Sequence, residues 1–479
     1  MHFTHLLLLT VPFAAATPDP LPEIDDLIDD ITNIAESAAN WGGNFATSIY
    51  NEATSLVDAV QTGDTYSSMV SNVNDIASAW ETGTSESATQ TAISLDSTPT
   101  HEAKTSPAEG LRAHGAAACL GYGTGVTGYI GGDCLATLVA NHPEFSYSTL
   151  VRTTEKADQV KAQYPFVRII IGDLDDSALL ERESATADIV LHTADASDHV
   201  GAAKAIIAGL VAGHTKETPG YLLHTGGTGI LTWEDSDKNE YGNKSEHVYN
   251  DWDGVDELLN LPDHAFHRNV DQLVLGAGTH HADVLKTALV CPPTIYGTDL
   301  PISTQQKHII KSSAGKGRGP VNQHSRQVYV LANMTLRRQK GPIIGAGQSI
   351  SNHVHVHDLS DVYALLIDAA IAGRTDDGLW GPRAYYLTEN GEHCWGELAQ
   401  ATAEAATRLG YLPEAKTEAL DPESAKNHAG YESLSWGMNS RGRSQRAREI
   451  LAWNPSQPCL VDELSDIVRV EWQRLQSSS

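Results

Sequence analysis

Cysteine is scarce in this sequence of 479 residues. Only five cysteines occur, their number is odd, none lies in the first hundred residues, and no two are spaced as CxxC. These facts exclude a disulfide framework and a zinc site built on paired cysteines. Scattered single cysteines are typical of proteins that work in a reducing compartment.

Basic residues are absent from residues 1–100, which hold fourteen acidic residues. The whole chain carries a net charge of −29, so the first hundred residues contribute −14 and the rest −15. This charge excludes nucleic acid and anionic membranes as partners. The length allows two or three domains, and the uneven charge predicts that two of them are of different kinds.

Long apolar runs are missing after the first twenty residues, so no later segment is predicted to cross a membrane. Residues 1–16 combine an apolar stretch with the small-residue site Ala14-Ala15-Ala16, a pattern typical of a cleaved signal peptide. No Lys or Arg precedes the stretch. The pattern predicts entry into the secretory pathway and an extracellular location. An apolar tail without a targeting role is the alternative.

Residues 17–82 are predicted to form an acidic all-α module. Apolar residues recur there at helical spacing in three stretches, which the turn signals NWGGN and QTGDT separate. The module resembles fungal hydrophobic surface-binding or cell-wall mannoprotein-like proteins, which implies binding to a surface. A helical bundle without a partner is the alternative. Residues 83–115 are rich in Ser, Thr and Pro, which predicts a linker.

Residues 116–479 show a different pattern, in which short apolar strands alternate with helices. YSTLVR, VRIIIGD, ADIVLHTA, GYLLHTGG and KTALVCPP read as strands, and GAAKAIIAGLVAG and FHRNVDQLVLGAGTHH read as helices. This alternation predicts an α/β fold, a Rossmann-type doubly wound parallel sheet covered by helices on both faces, followed by a small C-terminal substrate subdomain.

A glycine motif opens the first helix of this α/β unit. Gly125, Gly128 and Gly131 form GxxGxxG within TGVTGYIGG. Glycines allow a tight turn and a close approach of the backbone to a pyrophosphate, whose charge the helix N-terminus attracts. Because the motif lies between a strand and a helix, it predicts a dinucleotide site rather than an ordinary glycine-rich turn.

Six motifs in order resemble the extended or atypical short-chain dehydrogenase/reductases, the NAD-dependent epimerase/dehydratase group. After TGVTGYIGG come GDLDD, HTAD, CPPTIYG, HVHVHDLSDVYALLI and RAREILAWNP, which together span about residues 120–460. The resemblance implies a nicotinamide cofactor and a small-molecule substrate. The residues it assigns to cofactor binding are Gly125, Thr127, Gly128, Tyr129, Ile130, Gly131, Arg152, Asp173, Leu174, Thr193, Ala194, Pro292 and Thr294.

The residue that closes the second strand bears on which dinucleotide fits. An acidic residue there would bind the ribose 2′-hydroxyl of NAD. This chain instead has Arg152, with Lys156 close by, and arginine can pair with a 2′-phosphate through two hydrogen bonds. NADP(H) is therefore favoured over NAD(H). An arginine that merely points into solvent at the end of the strand is the alternative.

The tyrosine and lysine through which this group usually works are missing, because no YxxxK occurs in the chain. His267 and Asp271 occupy that spacing, so His267 is a candidate proton donor that Asp271 could orient. The alternative is that His267 and Arg268 are ordinary surface residues of a helix. Thr225 and Thr228 are candidates for the hydrogen bond to the substrate, and a phenol from Tyr241 or Tyr249 is a further alternative.

Three further features depart from the family pattern. The first strand, AAACLGYG, contains two glycines, and residues 298–316 read as an insertion without clear periodicity. These features and the incomplete front module would be explained by an imperfectly assembled gene, or by a retained intron.

The histidines of HVHVH alternate, which predicts a strand with all three on one face near the site rather than a metal centre.

The sequence as a whole predicts an NAD(P)-dependent oxidoreductase, or an epimerase/dehydratase-like enzyme, that transfers hydride to or from a small carbonyl or hydroxyl compound. Aldehydes, ketones and nucleotide sugars are the expected substrates. A non-catalytic NADP(H)-binding sensor and a secreted surface-binding protein are the alternatives. The Rossmann domain by itself suits the cytoplasm, which conflicts with the secretory leader.

Limited proteolysis of the full chain tests the predicted boundary between the two units. We expect the first cuts between residues 83 and 115, because linkers of this composition bury little apolar surface. Mass spectrometry of the fragments locates the cuts. A shorter chain that starts near His114 should still bind NADPH. First cuts that fall only outside the linker, or loss of NADPH binding by the shorter chain, would contradict the boundary.

Overall fold

The structure is a computed structural model that describes residues 120–297 and 318–477. The signal peptide, helical module and linker predicted for the first 115 residues lie outside the described residues. So does the insertion predicted at 298–316. Within the two described ranges, no helix has both the length and the apolar character that a membrane span requires.

A sheet of seven parallel strands forms the centre of the fold. Its strands are short and mostly apolar, as expected where helices cover both faces of a sheet. Two of them are buried along their whole length. Numbered in chain order, they are β1 (Leu120–Thr124), β2 (Ser146–Val151), β3 (Arg168–Ile171), β4 (Ile189–His192), β5 (Gly220–Thr225), β7 (Leu285–Cys291) and β11 (Tyr385–Leu387).

The strand order across the sheet is β3-β2-β1-β4-β5-β7-β11, and every pairing is parallel. The chain runs outward from β1 to β3 and then returns to continue on the other side at β4. This reversal makes the gap between β1 and β4 the switch point, where doubly wound folds bind their ligands. The predicted Rossmann-type α/β fold is therefore confirmed.

Strand β1 forms despite its two glycines. It pairs with β2 on one side and with β4 on the other. Two hydroxyls of β2 add further support, because Ser148 donates to the carbonyl of Gly121 and Thr149 donates to that of Gly123. The strand is thus fixed by its neighbours on both sides, with Tyr122 only 1% exposed between the glycines.

Helices cover both faces of the sheet and enclose two apolar clusters. Numbered among the described residues, these helices are α1 (Tyr129–Asn141), α2 (Thr154–Gln163), α3 (Ser177–Ser184), α4 (Val200–Gly213), α7 (Arg268–His280) and α9 (Val356–Ile371). One cluster lies beneath α1, α2 and α9, and the other lies beneath α3, α4 and α7.

A smaller C-terminal part has an apolar cluster of its own, centred on Trp395 and Trp436. Three small sheets belong to this region or connect it to the main sheet. Its strands are β6 (Tyr249–Asn250), β8 (Thr294–Tyr296), β9 (Gly341–Ile344), β10 (Ile350–His355), β12 (Glu392–Cys394), β13 (Thr417–Leu420) and β14 (Gly442–Arg443). The remaining helices are α5 (Trp233–Lys238), α6 (Val255–Leu259), α8 (Gln327–Arg338), α10 (Trp395–Arg408), α11 (Pro422–Ala429), α12 (Arg446–Leu451) and α13 (Leu460–Ser477).

Candidate active site

The parallel sheet brings the predicted site residues to one edge. The carboxyl ends of parallel strands all lie at the same edge, and β1 through β5 and β7 each release a loop there. The residues predicted to bind a dinucleotide follow five of these strands. They are the glycine loop after β1, Arg152 after β2, Asp173 and Leu174 after β3, Thr193 and Ala194 after β4, and Pro292 and Thr294 after β7.

The glycine loop after β1 is a tight cradle. Gly125 has a φ of +83°. A hydrogen bond of 2.7 Å from the Gly128 N–H to the Gly125 carbonyl closes the turn that follows. A β-carbon at Gly125 or Gly131 would collide with the Thr193 hydroxyl and nearby backbone. Thr193 itself donates a 2.6 Å hydrogen bond to the Thr124 carbonyl. Only glycine fits these positions, which keeps the backbone open to a ligand.

Helix α1 begins at this cradle. Among the residues that the structure describes, no side chain caps its N-terminus, and its first turn contains no acidic residue. The first backbone N–H groups of a helix have no partner within the helix and attract anions. Together with the cradle, this arrangement fits the pyrophosphate of a dinucleotide.

A buried ionic network joins α1 to the N-terminal end of α9 and to Arg318. Asp133 is fully buried and accepts hydrogen bonds from Arg318, His357 and Ser360, the last at 2.6 Å. Burial acts to raise the pKa of Asp133, but the hydrogen bonds from His357 and Arg318 outweigh it and hold that pKa well below its usual value. The carboxylate therefore stays charged and fixes the helix that carries the cradle.

The other residues of the loop are committed to the surrounding structure. The Tyr129 hydroxyl donates a 2.8 Å hydrogen bond to the Gly297 carbonyl, and the Thr127 carbonyl accepts from the backbone N–H of Asn322. Ile130 packs against the core cluster beneath α1. Through Gly297 and Asn322, these contacts join the loop to described residues that lie before and after 298–317.

Arg152 lies at the carboxyl end of β2, exposed to solvent. It makes no hydrogen bond or ion pair with any residue that the structure describes. Its guanidinium is therefore available to a ligand at the edge that carries the glycine loop. Asp173, at the end of β3, uses its carboxylate to accept the backbone N–H groups of Asp175 and Asp176.

His267 is the most distinctive side chain at this edge. It precedes α7, is 9% exposed, and its Nδ1 lies 2.7 Å from Oδ1 of Asp198 in the loop after β4. Its other ring nitrogen, Nε2, faces the loop after β5. A β-carbon at Gly227 would lie 3.4 Å from Nε2, and one at Gly229 would lie 3.2 Å away. A side chain at either position would press against Nε2, so the two glycines allow the backbone of this loop to lie beside the ring.

The backbone is left-handed at His267 and at Asp195, the residue that begins the turn of Asp198. His267 has a φ of +70°, and Asp195, which begins the turn that carries Asp198, has a φ of +44°. The turn closes with hydrogen bonds from the Asp198 and His199 N–H groups to the Asp195 carbonyl. Left-handed backbone at residues other than glycine is uncommon and concentrates at functional sites.

The two threonine candidates are placed differently from each other. Thr225, at the end of β5, shares a 2.6 Å hydrogen bond with the buried Tyr363 hydroxyl, so its own hydroxyl points into the core. Thr228 lies three residues further along the chain, and its hydroxyl is 2.9 Å from that of Ser440. Thr228 is thus near the C-terminal part, and Thr225 is committed to the interior.

The tyrosine alternatives receive little support. Tyr249 is 4% exposed, and its hydroxyl accepts a hydrogen bond from the Trp233 indole. Burial raises the pKa of Tyr249 to about 12, the opposite of what a proton-exchanging phenol requires. Tyr241 lies in the segment between α5 and β6 and packs beside the C-terminal cluster.

Asp271 does not orient His267, contrary to the sequence-based expectation. Its only hydrogen bond to that residue runs from its backbone N–H to the His267 carbonyl. Its carboxyl is fully buried and lies 3.1 Å from the Tyr385 hydroxyl. Burial raises the pKa of Asp271 to about 7. The acid that holds His267 is Asp198, which the sequence analysis missed.

The three histidines of HVHVH do not share one face of a strand, because β10 ends at His355 and His357 lies in the first turn of α9. His353 pairs with His393, His355 with Glu463, and His357 with Asp133. Among the described residues, no group of three or more His, Cys, Asp or Glu side chains could hold a metal ion.

Comparison with known proteins places the chain in a family. A curated relative, the oxidase UcsJ of an Acremonium species, is 37% identical over 360 residues, which cover 74% of this chain and 98% of the relative. The chain belongs to the family of this oxidase. An uncharacterized protein of Saccharomyces cerevisiae is 22% identical over 71% of this chain and 96% of its own length.

No family model matches the chain. Among solved structures, a dTDP-glucose 4,6-dehydratase from Streptomyces venezuelae with bound NAD is similar, with a TM-score of 0.48 and 17% identity. The alignment covers 74% of this chain and 96% of that one. The fold assignment itself rests on the strand order of this sheet and on its glycine loop.

The signal for Asp198 was present in the sequence but incomplete. HTADASDHV places acidic residues directly after β4, at the edge where the cofactor loop lies. Sequence spacing could not show which of them reaches His267, because 69 residues separate the pair. The spacing of four residues between His267 and Asp271 drew attention to the wrong acid.

The protonation of Asp271 gives a test of stability against pH. Its pKa of about 7 in the folded protein lies above the usual 3.8, so between these values the native state keeps a proton that the unfolded state loses. This residue therefore lowers the free energy of unfolding as the pH rises from about 4 to 7, by on the order of a few kcal/mol. The Asp271→Asn variant should lack this decline.

Urea unfolding of both proteins at pH 4.5, 5.5 and 6.5 measures the difference. Asp237→Asn is the control, because Asp237 is an exposed partner of His264. Parallel curves for the parent protein and Asp271→Asn would show that Asp271 is already charged in the folded state.

Proposed function

We propose that the protein is an NADP(H)-dependent oxidoreductase that acts on a carbonyl or hydroxyl group of a small organic molecule. The observation that carries this proposal is the position of His267. Its Nε2 faces the glycines after β5, at the edge of the sheet where the cradle of β1 would hold the cofactor. The name of the related oxidase supports redox chemistry for the family.

The described residues fit a dinucleotide at three points. Gly125 and Gly131 leave no room for a side chain, so backbone would contact the pyrophosphate. The uncapped N-terminus of α1 faces the same ligand. Arg152, without a partner in the described chain, would pair with the 2′-phosphate that distinguishes NADP from NAD.

When bound, a nicotinamide cofactor supplies or accepts a hydride at the substrate carbon. His267 then handles the proton at the substrate oxygen. In the direction of reduction its imidazolium gives the Nε2 proton to the carbonyl oxygen and becomes neutral, which leaves an alcohol. In the direction of oxidation the neutral imidazole takes that proton from the hydroxyl. Histidine suits both directions because its usual pKa lies near neutrality.

The C-terminal part contacts the loop after β5. Ser440, which precedes β14, donates to the Thr228 carbonyl and lies 2.9 Å from the Thr228 hydroxyl. Phe266, adjacent to His267, is 41% exposed, and its ring is tilted by 36° against the imidazole ring. A substrate that reaches Nε2 would therefore meet the apolar ring of Phe266. We assign Thr228 rather than Thr225 as the residue that contacts substrate.

Cofactor preference tests the role of Arg152. The parent protein should bind NADPH more tightly than NADH, and Arg152→Asp should reduce this preference by about 1–3 kcal/mol, the size of a charge-assisted hydrogen bond. Fluorescence titration with each dinucleotide measures both affinities. Lys216→Asp is the control, because this exposed residue precedes β5 at the opposite edge of the sheet. Equal affinities in the parent protein would remove this role.

Turnover tests the role of His267. His267→Gln should lower the rate of NADPH-dependent carbonyl reduction by about 100-fold or more while NADPH affinity stays unchanged, because the side chain exchanges a proton and does not touch the glycine loop. A panel of aldehydes and ketones provides the substrates, and NADPH absorbance provides the rate. His264→Gln is the control, since His264 is an exposed histidine three residues earlier.

Two outcomes would count against the proposal in different ways. Unchanged turnover in His267→Gln would show that another group supplies the proton. Tight NADPH binding without turnover of any substrate, in the parent protein as well, would favour a cofactor-binding sensor over an enzyme.

A further inference from the structure

The geometry points to Asp198 as the positioning residue that sets the tautomer and the orientation of His267, an inference that rests on the proposed function of that histidine. Its carboxylate, 2.7 Å from Nδ1, would fix the proton on Nδ1 and leave Nε2 as the nitrogen that exchanges a proton with the substrate.

The first step of the argument is the direction of the ring. An imidazole can present either nitrogen, and the hydrogen bond on one decides the state of the other. Nδ1 of His267 lies against Asp198, whereas Nε2 faces the loop of Gly227 and Gly229. A carboxylate accepts hydrogen bonds and cannot donate them when charged, so Nδ1 must carry the proton.

The second step is the charge of Asp198. Partial burial acts to raise the pKa of its carboxyl, but the hydrogen bond and the charge of His267 outweigh burial and lower that pKa below its usual value. The Ser197 hydroxyl donates a further hydrogen bond of 3.0 Å to its other oxygen. Asp198 is therefore an anion across the neutral range, which is the state that accepts the Nδ1 proton of His267.

The third step concerns the other charged groups around His267. The helix that follows it contributes Arg268 and Asp271, and the loop after β5 contributes glycines at the contact points. The Arg268 guanidinium donates to the carbonyls of Leu258 and Leu259, away from the ring. Asp271 points to Tyr385. Asp198 is thus the one carboxylate, among the described residues, that bonds to the imidazole.

The fourth step is the backbone on each side of the pair. Asp195 and His267 both adopt left-handed conformations, which cost free energy at residues other than glycine. The turn at Asp195 aims Asp198 toward α7, and the backbone of His267 aims its ring toward Asp198. Two strained segments from different parts of the chain converge on a single hydrogen bond, which indicates a role in positioning rather than a chance surface contact.

The experiment compares Asp198→Asn and Asp198→Glu with the parent full-length protein. Asp198→Asn should lower the rate of carbonyl reduction more than about tenfold, with NADPH affinity and the KM for the carbonyl substrate little changed. Asp198→Glu should recover part of the rate.

A second measurement does not depend on turnover. Nitrogen-15 spectra of the imidazole groups report the tautomer and the pKa of each histidine, and the signal absent from His267→Gln identifies His267. The parent protein should show Nδ1 protonated in the neutral ring, and Asp198→Asn should lose this preference. Asp237→Asn, which breaks the exposed pair with His264, is the matched control and should leave the His267 signal unchanged.

The outcomes separate this inference from the proposed function. An unchanged turnover rate, together with an unchanged His267 tautomer in Asp198→Asn, would overturn the role of Asp198 even if the enzyme is active. If no carbonyl compound is reduced by the parent protein, the proposed function fails, and the nitrogen-15 spectra alone decide whether Asp198 sets the state of His267.

Discussion

Parallel pairing of β1 with both β2 and β4 is the interaction on which the rest of the structure depends. Because every strand of the main sheet runs in the same direction, the loops that follow them converge at one edge. The glycine loop, Arg152, Asp198 and the glycines that face His267 all belong to such loops. Loss of pairing at β1 would therefore affect the cofactor cradle and the loops beside His267 together.

Several left-handed or tightly packed positions lie at this edge, whereas the faces of the sheet are covered by apolar packing. Gly125 is confined by the Thr193 hydroxyl, and α1 is held by the buried Asp133. The left-handed residues Asp195 and His267 add two further fixed points. Such conformations persist only where the surrounding structure determines them. These contacts fix the loop and the helix within the protein itself, which favours accurate placement of a ligand.

Local pattern was sufficient to predict the fold. The apolar strands, the glycine loop and the order of the motifs led to the correct sheet, because each of these signals is local. Even β1, whose glycines weaken the signal, pairs with β2 on one side and with β4 on the other. Two hydroxyls of β2 also donate hydrogen bonds to its carbonyls, and no property of β1 itself reveals this support.

The candidate site was less predictable because its contacts join distant segments. Spacing along a helix indicated that Asp271 would meet His267, yet His267 lies at the start of α7 with a left-handed backbone and its ring turns toward the loop after β4. Thr225 was equally ambiguous, since only the position of Tyr363 in α9 shows that its hydroxyl is committed to the core. Periodicity assigns a residue to an element, but it does not determine its partner.

The exchange of a tyrosine and lysine for His267 and Asp271 has a consistent electrostatic logic. In the family that the motifs resemble, a lysine cation lowers the pKa of a tyrosine so that it can exchange a proton. Here the lysine position carries a buried acid whose pKa is raised to about 7, and such a group cannot lower the pKa of a phenol.

Proton exchange at neutral pH then requires a group whose ordinary pKa is already suitable, and imidazole is that group. Its charged form needs an anion beside it rather than a cation, and the loop after β4 provides one in Asp198. In the proposed function, a carboxylate from the loop after β4 thus takes the place that a cation on the helix has in the family that the motifs resemble.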